Sequence, residues 1–405
     1  MATSVGFPFA RPLYVLAKPV GARCNLRCDY CYYLEKSEIL EGVSRNSLMD
    51  FDLLELFIDK YIEAQTTPEV LFTWHGGEPM LRPIRFYQRA LELQKKHARG
   101  RIISNSIQTN GTLLNDEWCR FLKENNFLVG ISIDGPERIH NTYRKMAGGA
   151  PTFQKVMRGI ELLKKYEIEY NAMAVINNLN VQEPLEFYNF FKEIDCHYLQ
   201  FTPIVERLSD GYLAHRYTGT SSELSSNSIS AESWGSFLVS LFDEWVQNDV
   251  GNYFIQLFDC TLANWVGVQP GLCTLDKYCG HALALEHNGD LYSCDHFVFP
   301  EYRLGNIRNK TIIQMAHSPE QEAFGLDKYN TLPRQCHECE YLFACWGECP
   351  KNRFINDEYG EPGLNYLCKG YLQYFRHVAP YMDFMAEALK REEPPASIMN
   401  HLPLE

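Results

Sequence analysis

Apolar and polar positions alternate along the first half of the chain in a pattern that repeats about six times. Short apolar runs predict buried strands, and each is followed by a segment with apolar residues at helical spacing. We predict strands at Leu13–Val20, Val70–His75, Ile102–Thr109, Leu128–Asp134, Tyr170–Ile176 and Tyr198–Ile204. We predict helices at Leu53–Ala64, Pro83–His97, Asp116–Glu124, Phe153–Tyr166 and Leu185–Ile194. This alternation predicts a parallel sheet, as a barrel or open, that binds ligands at the C-terminal ends of its strands.

The pattern changes after the sixth predicted strand. The segment from Ser209 to Ser233 is polar and Ser-rich, which predicts an exposed loop. A helix is predicted at Trp234–Gln247, a cysteine-rich region runs from Cys273 to Cys368, and a last amphipathic helix is predicted at Tyr371–Arg391. We therefore expect three parts, with borders at 1–233, 234–370 and 371–405.

Composition narrows the classes of function. The net charge of −13, without a basic block, disfavours nucleic-acid binding, because phosphate neutralisation needs clustered Lys and Arg. The N-terminal residues lack the features of a signal peptide, and no apolar run is long enough to span a membrane, so we expect a cytoplasmic protein without a membrane partner. In that compartment thiols stay reduced, so fourteen cysteines indicate metal or redox chemistry.

Three cysteines crowd into one predicted loop after the first strand. Cys24, Cys28 and Cys31 fall within eight residues, in the segment GARCNLRCDYCYY, and no fourth cysteine lies nearby. An iron–sulfur cluster usually takes four thiolates, so three would leave one iron open, as a catalytic centre requires. A structural zinc site with a distant fourth ligand is the alternative.

This cysteine run, with Tyr30 before Cys31, resembles the signature of the radical S-adenosylmethionine (SAM) superfamily. The resemblance implies a [4Fe–4S] cluster whose open iron binds SAM, and reductive cleavage of SAM to a 5′-deoxyadenosyl radical. It also implies that SAM is contacted by residues at or beyond several strand ends. These are Tyr30, Gly76, Gly77, Glu78, Ser132, Asp134, Arg144 and Val205. Taken singly, each of them could equally be a turn, capping, surface or core residue.

Eight further cysteines follow in the C-terminal half, enough for two sets of four. They are Cys273, Cys279, Cys294, Cys336, Cys339, Cys345, Cys349 and Cys368. Gly289, between Cys279 and Cys294, is predicted in the turn of a hairpin. Two zinc sites or two iron–sulfur clusters would use the same thiolates.

The eight-cysteine pattern resembles the SPASM extension of peptide-modifying radical SAM enzymes. The resemblance implies two fully ligated auxiliary clusters, and therefore three [4Fe–4S] clusters in the chain. The implied ligands of one are Cys273, Cys279, Cys294 and Cys349, and those of the other are Cys336, Cys339, Cys345 and Cys368. We expect the remaining cysteines, Cys119, Cys196 and Cys260, to be small buried hydrophobic residues.

Asp295 directly follows Cys294, where a buried carboxylate could act as a general base. With the other segments, this pair makes nearly the whole chain resemble the anaerobic sulfatase-maturating enzymes. That resemblance implies oxygen-independent oxidation of a Ser or Cys in a Cys/Ser-x-Pro/Ala-x-Arg motif of an unfolded sulfatase to Cα-formylglycine. Asp295 would accept the side-chain proton, and an auxiliary cluster would accept an electron. A flavodoxin- or ferredoxin-like protein would supply reducing electrons.

Two other functions stay open from the sequence. The same architecture is found in enzymes that form thioether or carbon–carbon crosslinks in peptides, and Asp295 favours alcohol oxidation over these because that reaction needs a proton acceptor. A zinc-stapled binding protein is the non-enzymatic alternative, and the three-cysteine loop disfavours it because it lacks a fourth ligand. His75, beside the two glycines, is treated as a structural histidine.

Overall fold

The computed structural model describes residues 12–33, 36, 48–209, 212–213 and 223–403. The chain divides into two compact units. The first contains Met1–Ser132, Asn141–Tyr170 and Gly280–Leu326, and the second contains Ile133–His140, Asn171–Cys279 and Asp327–Glu405. Each unit is therefore assembled from separate stretches of the chain.

The described strands and helices are numbered here in chain order. The strands are β1 (Tyr14–Ala17), β2 (Glu69–Trp74), β3 (Ile102–Thr109), β4 (Leu128–Ser132), β5 (Tyr170–Ile176), β6 (Tyr198–Pro203), β7 (Leu208–Ser209), β8 (Tyr212–Leu213), β9 (Phe254–Ile255), β10 (Ala282–Leu285), β11 (Asp290–Tyr292), β12 (Arg303–Asn306), β13 (Arg353–Asn356) and β14 (Pro362–Asn365). The α-helices are α1 (Phe51–Ala64), α2 (Ile84–His97), α3 (Asp116–Glu124), α4 (Glu137–Tyr143), α5 (Phe153–Lys165), α6 (Pro184–Glu193), α7 (Ala231–Asn248), α8 (Gln256–Trp265), α9 (Ile312–Ala316), α10 (Pro319–Asn330), α11 (Arg334–His337), α12 (Leu342–Cys345) and α13 (Cys368–Lys390).

The first unit is built on strands in the order β12-β11-β10-β1-β2-β3-β4. Strands β10, β1, β2, β3 and β4 run parallel, and β10 to β12 form an antiparallel meander. Ala17, the last residue of β1, pairs with Leu285 of β10 and Trp74 of β2. Residues that directly follow these three strands therefore emerge side by side at one edge of the sheet.

The second unit contains the parallel strands β5, β6 and β9 and the helical C-terminal part of the chain. Its helices α7 and α13 approach closely at Gly235 and Gly370. A Cβ on Gly370 would lie 2.1 Å from the carbonyl oxygen of Ala231, so a larger residue there would force the helices apart.

Most predicted elements are observed with borders shifted by one to three residues. The prediction that β1 extends to Val20 is wrong, because a turn closed by the N–H of Gly21 on the carbonyl of Lys18 (3.1 Å) ends the strand at Ala17. β4 ends at Ser132 and not Asp134, and α7 begins at Ala231 because Ser230 caps it with Ser233 in a capping box. Six described helices lie outside the predicted elements: α4, α8, α9, α10, α11 and α12.

The Ser-rich segment 209–233 is only partly described. Residues 210–211 and 214–222, on which much of the loop prediction falls, lie outside the described residues. Within the described part, β7 pairs with β8 in a short antiparallel ladder, so that stretch is not a plain loop. The predicted hairpin turn is confirmed at Gly289 (φ +91°), between β10 and β11. No helix of the described residues is long and apolar enough to cross a membrane.

Candidate active site

The three-cysteine loop lies between β1 and α1 in the first unit. Cys28 is buried, and Cys24 and Cys31 are partly buried. The segment at the end of α4 fixes the backbone of this loop by two hydrogen bonds. The N–H of Arg27 donates to the carbonyl oxygen of Lys145 (2.8 Å), and the N–H of Asp29 donates to that of Tyr143 (3.0 Å). The three thiols are thus presented on a fixed backbone.

The two glycines after β2 let two loops meet backbone to backbone. The N–H of Gly77 donates to the carbonyl of Gly21 at 2.8 Å. A Cβ on Gly77 would lie 2.2 Å from the carbonyl oxygen of Arg23, and Gly76 has a φ of +125°, which side chains disfavour. The glycine pair is therefore required by the approach of the cysteine loop.

Glu78 is fully buried beneath this junction. Its carboxylate accepts hydrogen bonds from the Thr109 hydroxyl (2.8 Å) and from the N–H groups of Met80 (3.0 Å) and Asn110 (2.8 Å). Burial raises the pKa of Glu78 and these three donors lower it, and the balance raises the pKa from its ordinary value to about 7. The side chain thus anchors the ends of β2 and β3 to each other.

Polar residues after β3, which were not predicted as part of the site, reach the cysteine loop. The side-chain amide of Asn110 donates to Asn25 at 2.9 Å and lies 3.8 Å from the sulfur of Cys24. Asn25 in turn donates to Thr112 at 2.9 Å. The available signal was the segment QTNGT, which follows a predicted strand at the same edge as the cysteines.

The other predicted SAM contacts of the first unit are Tyr30, Arg144 and Ser132. The guanidinium of Arg144 lies 5.6 Å from the centre of the Tyr30 ring, and Arg144 is buried. Ser132, at the end of β4, accepts a hydrogen bond from Gln108 at 3.2 Å. The structure thus brings Tyr30 and Arg144 together beside the cysteines and places Ser132 at a strand end.

Asp134 and Val205 belong to the second unit and are both buried. The carboxylate of Asp134 accepts the N–H of Val175 at 3.0 Å, and its backbone carbonyl accepts from Asn180 at 3.2 Å. Val205 follows the end of β6. These bonds give Asp134 a structural role at the end of β5, alongside its predicted role.

Asp295 is held by two residues from the first strand and its loop. One carboxylate oxygen forms an ion pair with Lys18, which is fully buried, and the other accepts the hydroxyl of Tyr32. Burial alone would raise the pKa of Asp295, but the Lys18 ammonium and then the rings of His75 and His296 lower it below its ordinary range. Asp295 is therefore an ionised carboxylate, and its side chain remains 16% exposed.

A row of polar residues lies at the ends of three neighbouring strands and was not predicted. Lys18 follows β1, His75 follows β2 and Glu286 follows β10. The ammonium of Lys18 lies 4.0 Å from Glu286 and 3.6 Å from the centre of the Tyr33 ring. The Tyr33 hydroxyl donates to Glu286. His75 accepts the N–H of Gly76 at 2.7 Å, and burial lowers its pKa. The row is recognisable only once the strand register is known.

Three thiols of the first predicted auxiliary set lie in the second unit, where Cys273 interacts with Cys279 and with Cys349. Cys273, Cys279 and Cys349 are partly buried, and burial raises the pKa of Cys279 and of Cys349 to about 12. The Cys273 thiol contributes to both of these shifts. The fourth predicted ligand, Cys294, belongs to the first unit.

The second predicted auxiliary set surrounds a cavity. All four of its thiols line a space of about 480 Å³, together with Leu364 and Tyr371. The four are Cys336, Cys339, Cys345 and Cys368. The structure therefore brings this predicted set together around one space.

Thiols are the ligands that iron–sulfur clusters take, although no three His, Cys, Asp or Glu side chains of the described residues already stand at the spacing of a bound metal ion. All fourteen cysteines are in the described part of the chain, and none forms a disulfide. Burial, then Glu78, and then the thiols of Cys28 and Cys31 raise the pKa of Cys24 to about 12. Buried thiols that crowd together become thiolates only when a cation compensates their charge, as iron does. Cys119, Cys196 and Cys260 are buried as expected.

Two family models match the chain. The Radical SAM superfamily matches residues 19–191, and an iron–sulfur cluster-binding domain, SPASM, matches residues 273–340. These matches and the parallel strands confirm the predicted α/β fold class, a partial (β/α)6 TIM-like radical SAM barrel with a C-terminal cysteine-rich SPASM domain.

Proteins of one family resemble the chain over nearly its whole length. A serine-type anaerobic sulfatase-maturating enzyme of Bacteroides thetaiotaomicron is 62% identical, covering 98% of this chain and 96% of the relative. A cysteine-type enzyme of Clostridium perfringens is 32% identical, covering 94% and 100%. The solved structure of native anSMEcpe with bound AdoMet and Cp18Cys peptide has a TM-score of 0.83 and 32% identity, covering 94% of this chain and all of that one.

Proposed function

We propose that this chain, which belongs to the family of anaerobic sulfatase-maturating enzymes, acts on a serine of its substrate. The serine-type relative is 62% identical and the cysteine-type relative 32%. The reaction oxidises that residue, within a Ser-x-Pro/Ala-x-Arg motif of an unfolded sulfatase, to Cα-formylglycine without oxygen. The observation that carries the proposal is the placement of Asp295, an ionised carboxylate at the strand edge whose partner Tyr32 directly follows Cys31.

The cysteine loop holds the first cluster. Cys24, Cys28 and Cys31 would supply three thiolates to a [4Fe–4S] cluster and leave one iron without a protein ligand, where SAM would bind. With SAM bound, the cluster supplies the one-electron reduction that yields a deoxyadenosyl radical able to take a hydrogen atom from the substrate Cβ. The protein residues proposed to position SAM are Tyr30, Gly76, Gly77, Glu78, Ser132, Asp134, Arg144 and Val205.

Asp295 accepts the proton of the substrate hydroxyl. Each of its oxygens already has one partner, and each keeps a lone pair for a further hydrogen bond. Lys18 holds the carboxylate in place and keeps it ionised, so it is ready to receive a proton once the hydrogen atom has left Cβ. Loss of one more electron from the substrate then completes the aldehyde.

The cysteine-rich C-terminal half would hold the auxiliary clusters that supply the acceptor for that electron. We assign Cys273, Cys279, Cys294 and Cys349 to one and Cys336, Cys339, Cys345 and Cys368 to the other, which makes three [4Fe–4S] clusters in all. The cavity lined by the second set supports its assignment. We further propose a flavodoxin- or ferredoxin-like electron donor and a cytoplasmic location. The proposed domain borders are 1–233, 234–370 and 371–405.

A peptide assay tests this function. The iron-loaded chain is incubated anaerobically with SAM, a strong reductant and matched peptides that contain Ser-x-Pro-x-Arg, Cys-x-Pro-x-Arg or Ala-x-Pro-x-Arg. We expect the Ser peptide to lose two hydrogens and one 5′-deoxyadenosine to be released per product, with the Ala peptide unchanged. A preference for Cys would contradict the serine assignment, and a crosslink within the peptide would favour the alternative peptide-modifying chemistry.

A further inference from the structure

A fully buried lysine lies beside the first auxiliary set. Lys328, in α10, donates to the carbonyl oxygens of Cys273 (2.5 Å), Thr274 (2.8 Å) and Asp276. A neutral amine has two N–H groups and an ammonium has three, so three acceptors require the protonated form. Lys328 therefore places a positive charge inside the cysteine-rich part of the second unit.

The charge of Lys328 lacks a carboxylate partner among the described residues, because all three of its donors are taken by neutral carbonyl groups. Burial lowers the pKa of Lys328, and the thiols of Cys279, Cys273 and Cys349 raise it. A buried charge is costly unless an opposite charge compensates it. Thiols become anionic when they bind metal, so a bound cluster would add compensating charge to that of the carboxyl groups of Glu348 and Asp276, which act on Cys273.

A second, partly buried cation lies beside the same thiols. Arg353 donates to the carbonyl of Lys328 at 2.5 Å and to three consecutive carbonyls of the turn between Cys345 and Cys349. Those three belong to Trp346 (2.8 Å), Gly347 (2.8 Å) and Glu348 (3.0 Å). Its guanidinium interacts with Cys349, Cys345 and Cys336, so it faces thiols of both sets. The thiols that act on Lys328 all belong to the first set, and Lys351 also acts on Cys349 of that set.

We propose that Lys328 is a positioning residue that raises the reduction potential of the cluster held by Cys273, Cys279 and Cys349. This inference rests on the proposed function, which assigns an iron–sulfur cluster to these thiols. Adding an electron makes a cluster more negative, so a fixed cation in a low-dielectric site stabilises the reduced form. The electron is the one left on the substrate after Cβ has lost its hydrogen atom and Asp295 has taken the hydroxyl proton. Its transfer reduces the cluster by one electron and forms the C=O bond.

A redox titration of the auxiliary clusters tests the role of Lys328. The full chain is prepared with Cys24, Cys28 and Cys31 changed to Ala, so that only the auxiliary clusters remain, and electron paramagnetic resonance follows their reduction. In that background we expect Lys328→Gln and Lys328→Met to shift one of the two clusters to a lower potential. Lys369→Met removes an exposed lysine beside Cys368, where water screens the charge, and should leave both potentials unchanged.

The two Lys328 variants separate charge from hydrogen bonding. Glutamine loses the charge and keeps two N–H donors for the carbonyls, so it also serves if Lys328→Met does not fold. Unchanged potentials with full iron content would overturn the proposal, and so would a shift in Lys328→Met alone or a loss of iron from Lys328→Gln. Auxiliary iron missing from the parent with Lys328 intact would instead overturn the proposed function, and this inference with it.

Discussion

The cysteine loop of the first unit and the cysteine-rich part of the second unit both crowd thiols together, but the charged groups that act on the thiols differ. The carboxyl group of Glu78 acts on Cys24, whereas the auxiliary thiols face the cations Lys328 and Arg353 as well as the buried carboxyl group of Glu348. Negative charge near a cluster disfavours its reduction and positive charge favours it. The cations beside the auxiliary thiols fit the proposed function, in which the first cluster reduces SAM and the auxiliary clusters take up an electron.

The ligand count differs in the same way. In the proposed assignment, three thiols in the loop leave a coordination position for SAM, while four thiols line the auxiliary cavity. An open, electron-donating centre and fully ligated, electron-accepting centres would thus use the same cysteine chemistry. Each prediction below changes one side of this contrast.

The largest effect is expected from Cys31→Ala in the cysteine loop. With two thiolates left, the first cluster is lost, and we expect 5′-deoxyadenosine and formylglycine to fall below detection. Iron content should drop by about four atoms per chain, the content of one [4Fe–4S] cluster. Cys119→Ala, at a buried cysteine outside all three sets, is the control and should keep both products. Persistent SAM cleavage in Cys31→Ala would break the contrast between the two regions.

A smaller effect, confined to the later steps, is expected from Asp295→Asn. The amide cannot accept the substrate proton, so formylglycine formation should slow by about 10²–10⁴-fold, the usual contribution of a general base. SAM cleavage should continue, so the ratio of deoxyadenosine to product rises. Both are quantified by mass spectrometry. Asp116→Asn, on an exposed ion pair, serves as the control. Equal loss of both products would place Asp295 in the SAM-cleaving half of the reaction.

The sequence predicts the thiol-rich regions and most strands, but not the charged groups that lie beside the thiols and Asp295. Cysteine spacing and strand periodicity are local features of the chain, so the strands and the two thiol-rich regions can be predicted from the sequence. The partners of Asp295 cannot, because Lys18 is distant in sequence and becomes its neighbour through the pairing of β1 with β10. Lys328 lies in the polar segment PEQEAFGLDKYN, which is typical of a solvated helix. Only the structure shows that its side chain is buried and that the auxiliary thiols act on it.

Glu78→Gln should destabilise the first unit. Both carboxylate oxygens accept buried donors, and the amide replaces one of them with an N–H₂ group that faces a donor. An unsatisfied buried donor costs about 1–3 kcal/mol, so we expect a lower midpoint of thermal unfolding. Glu117→Gln, at an exposed helix position, should change stability by less than about 0.5 kcal/mol. Equal midpoints for the two variants would show that Glu78 does not anchor the strand ends.

The smallest effect is expected from Arg353→Lys, which keeps the charge and removes the guanidinium fork. Arg353 serves four carbonyl oxygens, and an ammonium has only three donors, so at least one hydrogen bond is lost, at a cost of about 1 kcal/mol. The unfolding midpoint should fall slightly while the potentials of both auxiliary clusters stay unchanged. Arg334→Lys, at an exposed ion pair, controls for the substitution. A changed potential in Arg353→Lys would mean that the geometry of the turn, and not the sign of the charge, distinguishes the auxiliary region from the cysteine loop.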